Sequence, residues 1–130
     1  MKALVIDDSR VMRRIVGGQL RGLGFSVVEA GNGREAMEVL AEQDEGGAVD
    51  LACVDWNMPV MDGLSFVTAV RARKEWRGVT LMMVTTESER DQIVRALAAG
   101  AHEYLIKPFT PDALRDKLAL LGLLPDEESL

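Results

Sequence analysis

The sequence predicts an α/β fold, a doubly wound five-stranded parallel sheet with five helices divided between its two faces. Three observations carry that prediction. Short apolar runs recur at 3–6, 25–28, 51–54, 81–84 and 104–106, and most lack polar alternation, as strands covered on both faces do. Segments with helical spacing follow each run, giving β-α five times over. The 130 residues, 48% of them hydrophobic, suffice for one compact core and are few for two. Such alternation implies right-handed crossovers between parallel strands.

The first run, Ala3 to Ile6, ends on Asp7-Asp8, and the helix after it spaces Met12, Ile15, Val16, Leu20 and Leu23 before a stop at Gly24. Gly17 and Gly18 weaken this helix with no reason visible in the sequence. The second run, Phe25 to Val28, leads through the turn Gly31-Asn32-Gly33 into a helix burying Ala36, Met37 and Leu40. Leu51 to Val54 ends on Asp55, and Leu64, Val67 and Val70 mark the third helix. Leu81 to Val84 ends on Thr85-Thr86, followed by Ile93, Val94, Leu97 and Ala98 on the fourth. Tyr104 to Ile106 ends on Lys107-Pro108; the fifth helix takes Thr110 as N-cap and Pro111 at its first position, and buries Leu114, Leu118 and Leu121. One domain is expected over residues 1–124, with a short acidic tail at 125–130 that frays.

Composition narrows the function. Fifteen basic against 21 acidic residues leave a net charge of −6, which opposes nucleic-acid phosphates as partners. The single cysteine, Cys53, lies in an apolar run and reads as a buried thiol, with no partner for a disulfide or a cysteine zinc site. Two carboxylates follow four apolar residues at the amino end, too soon for a signal peptide or membrane span, so a cytoplasmic protein without membrane insertion is expected. No Gly-rich loop ending in Gly-Lys-Ser/Thr is present, so ATP binding is not indicated. His102, the one histidine, reads as surface packing, and Met58, Met61, Met82 and Met83 as apolar filler.

In open parallel sheets functional groups gather at the carboxyl ends of the strands. Four of the five runs end in polar residues of interest: Asp7-Asp8, Asp55, Thr85 and Lys107. Taken singly, these read as a helix cap, a loop acid, a strand hydroxyl and a surface lysine. Their shared topological position argues otherwise. Three converging carboxylates repel unless a cation stands among them, and a hard oxygen set suits Mg2+, or Mn2+, better than zinc or copper. Such a cation can bridge carboxylate and phosphate, with Thr85 and Lys107 left to hold phosphoryl oxygens.

Val5-Ile6-Asp7-Asp8-Ser9, Asp55 to Gly63, Val84-Thr85 and Lys107-Pro108-Phe109-Thr110 together resemble the receiver domains of two-component response regulators, over essentially the whole chain. Met12 to Val16 and Asp55-Trp56-Asn57-Met58-Pro59 bring it nearest to the CheY-like, single-domain receivers. The resemblance, and not the pattern itself, supplies the flavodoxin-like strand order 2-1-3-4-5. It implies that Asp55 is the phosphoacceptor, that Asp8, Asp55 and the backbone carbonyl of Asn57 ligate Mg2+ with Asp7 helping through water, and that Thr85 and Lys107 contact the phosphoryl group. A cis bond at Lys107-Pro108 comes with it, as does Tyr104 as an aromatic switch. Arg90, Ile93, Tyr104 and Lys117 match a partner face built from the fourth helix, fifth strand and fifth helix. Asn57 and Glu87 match positions that set the rate of phosphate loss, here a rapid one. Ser9 and Thr86 depart from the usual CheY-like residues in size.

The implied function is a monomeric phosphorylation switch with no enzymatic output: a histidine kinase is the phosphodonor, and a downstream protein target reads the altered face. Chemotaxis and flagellar-motor control are the analogous role. Two other classes fit the architecture. A phosphatase or phosphotransferase using an aspartyl intermediate is disfavoured because no second Asp follows Asp8 in an Asp-x-Asp-x-Thr pattern, and a flavin carrier by the acidic rim. A receiver fragment of a larger regulator remains an alternative.

Overall fold

The computed structural model describes residues 1–46 and 48–124, so the acidic tail expected at 125–130 lies outside the described residues. Its elements are β1 (Lys2–Ile6), α1 (Arg10–Gly22), β2 (Ser26–Ala30), α2 (Gly33–Gly46), β3 (Leu51–Val54), α3 (Gly63–Arg71), a 3-10 turn (Lys74–Trp76), β4 (Thr80–Thr85), α4 (Arg90–Ala99), β5 (Glu103–Ile106) and α5 (Pro111–Leu120). The strands form one parallel sheet in the order β2-β1-β3-β4-β5, as the resemblance implied.

Successive strand residues point to opposite faces, and here both faces are buried. Leu4, Ile6, Ala52, Val54, Leu81, Met83 and Tyr104 pack with Ala36 and Leu40 of α2, Phe66, Val67 and Val70 of α3 and Ala96 of α4. Ala3, Val5, Leu51, Cys53, Met82, Val84 and Leu105 pack on the other side with Val16 and Leu20 of α1 and Leu114 and Leu118 of α5. Burial of each such leucine or phenylalanine stabilises by roughly 2 kcal/mol. No described helix is long and apolar enough to cross a membrane.

Side-chain caps start α1, α3 and α5, Thr110 being the one the sequence predicts. Ser9 Oγ accepts from the Met12 N–H at 3.2 Å, Asp62 Oδ1 from Ser65 at 2.8 Å, and Thr110 Oγ1 from Ala113 at 3.1 Å. Asn32 Oδ1 accepts from the Glu35 N–H at 2.9 Å, which makes the Gly31–Gly33 turn the opening of α2. Beyond α1, Gly24 takes a φ of 98°, open to a residue without Cβ.

Several sequence expectations need correction. Phe25 precedes β2 instead of starting it: its N–H closes on the Leu20 carbonyl at 3.1 Å, so the residue finishes the α1 turn and buries its ring there. Ile15, Val94, Leu97 and Ala98 face solvent. The inner row of α4 is Ile93, Ala96 and Ala99, one step in register from the more apolar row. The 3-10 turn has no sequence signature; Trp76 plugs it into the core while the Arg73 guanidinium covers the ring at 4.6 Å. A Cβ on Gly17 would meet Val27 at an ordinary 3.4 Å and one on Gly18 would meet open space, so neither glycine is required by packing.

Candidate functional site

Parallel register brings the strand ends level. Ile6 pairs with Val54 and Thr85 with Ile106. The ladder then runs one residue past the strands: the Asp55 N–H donates to the Ile6 carbonyl at 2.9 Å, the Asp7 N–H to Ala30 at 3.1 Å and the Lys107 N–H to Thr85 at 2.8 Å. Each site backbone is therefore held by the strand beside it, and the side chains leave the rim together. The Lys107-Pro108 peptide is cis.

The three acids meet as expected. Carboxylate oxygens of Asp7, Asp8 and Asp55 lie within 4.8 Å of one another. Asp7 and Asp55 are buried and Asp8 is exposed, so the cluster opens to solvent on the Asp8 side. The Lys107 ammonium stands 2.7 Å from Asp7 Oδ2 and 3.6 Å from Asp55 Oδ2. Asp7 Oδ1 accepts from the Ser9 N–H at 2.9 Å, and Asp55 Oδ1 from the Trp56 N–H at 2.8 Å. Burial pushes the Asp55 carboxyl above its ordinary range, and the charge of Asp7 adds to this; a hydrogen bond from Thr85, the Lys107 charge and the Trp56 N–H pull against them. This is a buried carboxylate held by fixed donors. One ammonium against three acids leaves room for a divalent cation, and the all-oxygen donor set fits Mg2+ or Mn2+.

A second layer closes the rim. Thr85, wholly buried, accepts from the Glu87 N–H at 3.3 Å. The Asn57 amide donates to the Glu87 carboxylate across the mouth. Tyr104, buried, donates its hydroxyl to the Glu87 carbonyl at 2.6 Å. Burial raises its phenol, and the charges of Glu87 and Asp55 raise it further. Thr85, Asn57 and Tyr104 thus converge on one residue, Glu87, which the sequence marked only as a rate position.

The four residues matched to a partner face do not lie alike. Arg90 is exposed at the start of α4, Ile93 is half-buried, Tyr104 is buried, and the Lys117 ammonium is engaged by Glu103 at 2.9 Å. The exposed apolar side chains nearby in sequence include Val94 and Leu97 of α4, Ile106 of β5 and Leu120 of α5.

Sequence reasoning missed two residues that shape the site. A Cβ on Gly63 would sit 2.2 Å from the Asp55 carbonyl oxygen, so α3 can begin against the Asp55 loop only at glycine. The motif contained Gly63 without the reason. The second is Arg13, whose Nη1 donates to the Asp7 carbonyl at 2.6 Å and whose Nε pairs with Glu29 at 3.1 Å. His102 lies by the start of β5, away from the rim; its Nδ1 receives the Leu81 N–H at 3.1 Å and lies 3.1 Å from Arg71 Nη2. Cys53 is buried, its thiol pushed up to about 12 by desolvation.

Comparison with known proteins agrees with this geometry. The family model described as response regulator receiver domain matches residues 3–119. A CheY homologue of Campylobacter jejuni is 44% identical over 119 residues, covering 91% of this chain and 89% of that protein. The chemotaxis protein CheY1 of Helicobacter pylori is 43% identical over 122 residues, covering 93% and 96%. The solved structure of Vibrio cholerae CheY4 superposes with a TM-score of 0.81 at 37% identity, covering 92% of this chain and 96% of that one. Receiver domains bind Mg2+ at an acidic pocket and take phosphate from histidine kinases. This chain belongs to the response regulator receiver domains, in their CheY-like form, and is a phosphorylation-dependent switch of two-component signalling.

Proposed function

We propose that Asp55 is the phosphoacceptor of this switch. The observation that carries the reading is the Asp55 carboxylate itself, buried at a strand end, 3.6 Å from the Lys107 ammonium and beside Asp7 and Asp8. An Asp55 oxygen attacks phosphorus, the bond from phosphorus to the kinase's histidine nitrogen breaks, and the electron pair leaves with that nitrogen. Asp8 and Asp55, with Asp7 and the Asn57 carbonyl, would hold Mg2+ or Mn2+, which supplies charge neutralisation for the transferring group. Thr85 and Lys107 offer a hydroxyl and an ammonium to the phosphoryl oxygens. Asn57 and Glu87, in contact across the mouth, govern access of the water that removes the phosphate.

The signal then leaves through Glu87. Drawing the Thr85 hydroxyl toward phosphate breaks its bond to the Glu87 N–H, and Tyr104 holds the same residue by its carbonyl. The loop carries the change to α4, β5 and α5, where Arg90, Ile93, Tyr104 and Lys117 meet a protein target that prefers one arrangement. The working unit is residues 1–124, a cytoplasmic monomer that turns over no external substrate and binds no nucleic acid. Chemotaxis is the role its CheY relatives suggest.

The test is mass spectrometry after incubation with Mg2+ and a small acyl phosphate. One phosphoryl adduct is expected, located on Asp55 by peptide mapping and absent from Asp55→Asn. An equal adduct in that variant would overturn the assignment. Steady release of phosphate from phosphomonoesters would instead make this an enzyme.

A further inference from the structure

Asp7 is fixed at four points, and three of them follow from its place in the sheet or the site. Its N–H donates to the Ala30 carbonyl at 3.1 Å, Oδ1 accepts from Ser9 at 2.9 Å and Oδ2 meets Lys107 at 2.7 Å. The fourth is different. The Asp7 carbonyl, which would otherwise point past the end of β1, accepts from Arg13 Nη1 at 2.6 Å. Arg13 lies one turn into α1, with only 17% of its side chain exposed, and its Nε is paired with Glu29 of β2 at 3.1 Å. The planar fork thus ties three elements together, with one arm on a carbonyl and the other on a carboxylate.

That carbonyl belongs to the peptide joining Asp7 to Asp8. Fixing its oxygen fixes the peptide plane, and the plane sets the direction in which Asp8 leaves the chain. Asp8 needs such help because it is the exposed acid of the cluster, whereas Asp55 is packed in place. We infer that Arg13, braced by Glu29, is a positioning residue for the divalent cation: it aims Asp8 and thereby sets metal affinity without touching the metal. This rests on the reading of Asp7, Asp8 and Asp55 as the metal site.

Lysine lacks the fork: a compact ammonium on a flexible stem cannot hold the carbonyl and the carboxylate in one fixed relative orientation. The experiment is a Mg2+ titration followed by the fluorescence of Trp56, which is buried next to Asp55. Wild type, Arg13→Gln, Arg13→Lys and Glu29→Gln are compared with Arg34→Gln, which alters an exposed pair with Glu38. Outer-shell partners of metal ligands commonly govern affinity at the tenfold level, so Arg13→Gln should raise the Mg2+ dissociation constant about tenfold. Arg13→Lys should fail to restore it, Glu29→Gln should shift it by less in the same direction, and Arg34→Gln should leave it unchanged. At saturating Mg2+ the rate of phosphorylation by a small acyl phosphate should return to the wild-type value.

An unaltered dissociation constant in Arg13→Gln, with a lowered melting temperature, would make Arg13 a structural clip and overturn the proposal. So would full affinity in Arg13→Lys. If Arg13→Gln does not fold, the lysine and Glu29 variants decide by the same criterion. A wild-type protein that shows no response to Mg2+ would instead reject the metal site itself, an outcome distinct from failure of the Arg13 role.

Discussion

Lys107 Nζ lies 2.7 Å from Asp7 Oδ2, a contact between two nearly buried side chains a hundred residues apart in sequence. Removing one partner of a buried pair leaves the other charge uncompensated. Lys107→Met should therefore destabilise the metal-free protein by about 3 kcal/mol, since Asp7 would face Asp55 and Asp8 with no cation. Mg2+ restores a positive charge to the cluster, so the loss should shrink as the metal is added. Urea unfolding of wild type and variant with and without Mg2+ checks both parts. A stability gap that ignores Mg2+ would mean the ammonium acts through packing alone.

Gly63 begins α3 directly against Asp55. Its missing Cβ is where the Asp55 carbonyl oxygen already sits, at 2.2 Å, and backbone cannot rotate aside as a long side chain does. The Gly63 N–H also donates to the Trp56 carbonyl at 2.9 Å. Gly63→Ala should cost about 2–3 kcal/mol by forcing the loop and helix apart. It should also slow phosphorylation of Asp55 even at temperatures where the variant stays folded. Retained phosphorylation kinetics in a folded variant would show that the loop yields without moving the acceptor.

These two glycine and lysine effects differ in how visible they were beforehand. The β-α alternation and the polar strand ends placed Asp7, Asp55, Thr85 and Lys107 on one rim, because parallel topology alone forces those positions together. Gly63 was present in a recognised motif, yet the need for it arises from the approach of α3 to β3, which spacing does not encode. The register of α4 departs from the apolar pattern too: Val94 and Leu97 are more apolar than Ala96, yet they are exposed while Ala96 is wholly buried in the core. Arg71 was invisible. Its donors reach the carbonyls of Gly100 at 3.0 Å, Arg77 at 3.3 Å and Val79 at 2.8 Å, and backbone acceptors carry no side-chain signature.

Tyr104 reaches the Glu87 carbonyl at 2.6 Å, which ties the loop after β4 to β5. Tyr104→Phe keeps the buried ring and deletes one hydrogen bond, so a loss of about 1 kcal/mol is expected. More informative is where the loss appears. Amide exchange should accelerate in residues 86–89, with little change at Asp55, whose N–H is held by the Ile6 carbonyl. Uniform exchange across the loop in both proteins would remove Tyr104 as its anchor.

The far end of the sheet, at the start of β5, carries a pH-dependent contact. His102 Nδ1 accepts the Leu81 N–H at 3.1 Å and lies 3.1 Å from Arg71 Nη2, so a proton there would displace one donor and repel the guanidinium. Burial, followed by the Arg71 charge, lowers the imidazole below its ordinary 6.5. Because the folded value is depressed, the unfolded chain binds the proton more readily. The contribution of the neutral ring is complete above about pH 6.5 and is lost as pH falls through the folded value. His102→Asn offers a side-chain oxygen to the Leu81 N–H without titrating in this window. Melting temperatures measured from about pH 7.5 down to pH 5 should therefore fall more steeply in wild type than in His102→Asn, the carboxylate contribution being common to both. Parallel curves would show that protonating Nδ1, and losing the Leu81 bond with it, costs no stability, and that the Arg71 staple is indifferent to it.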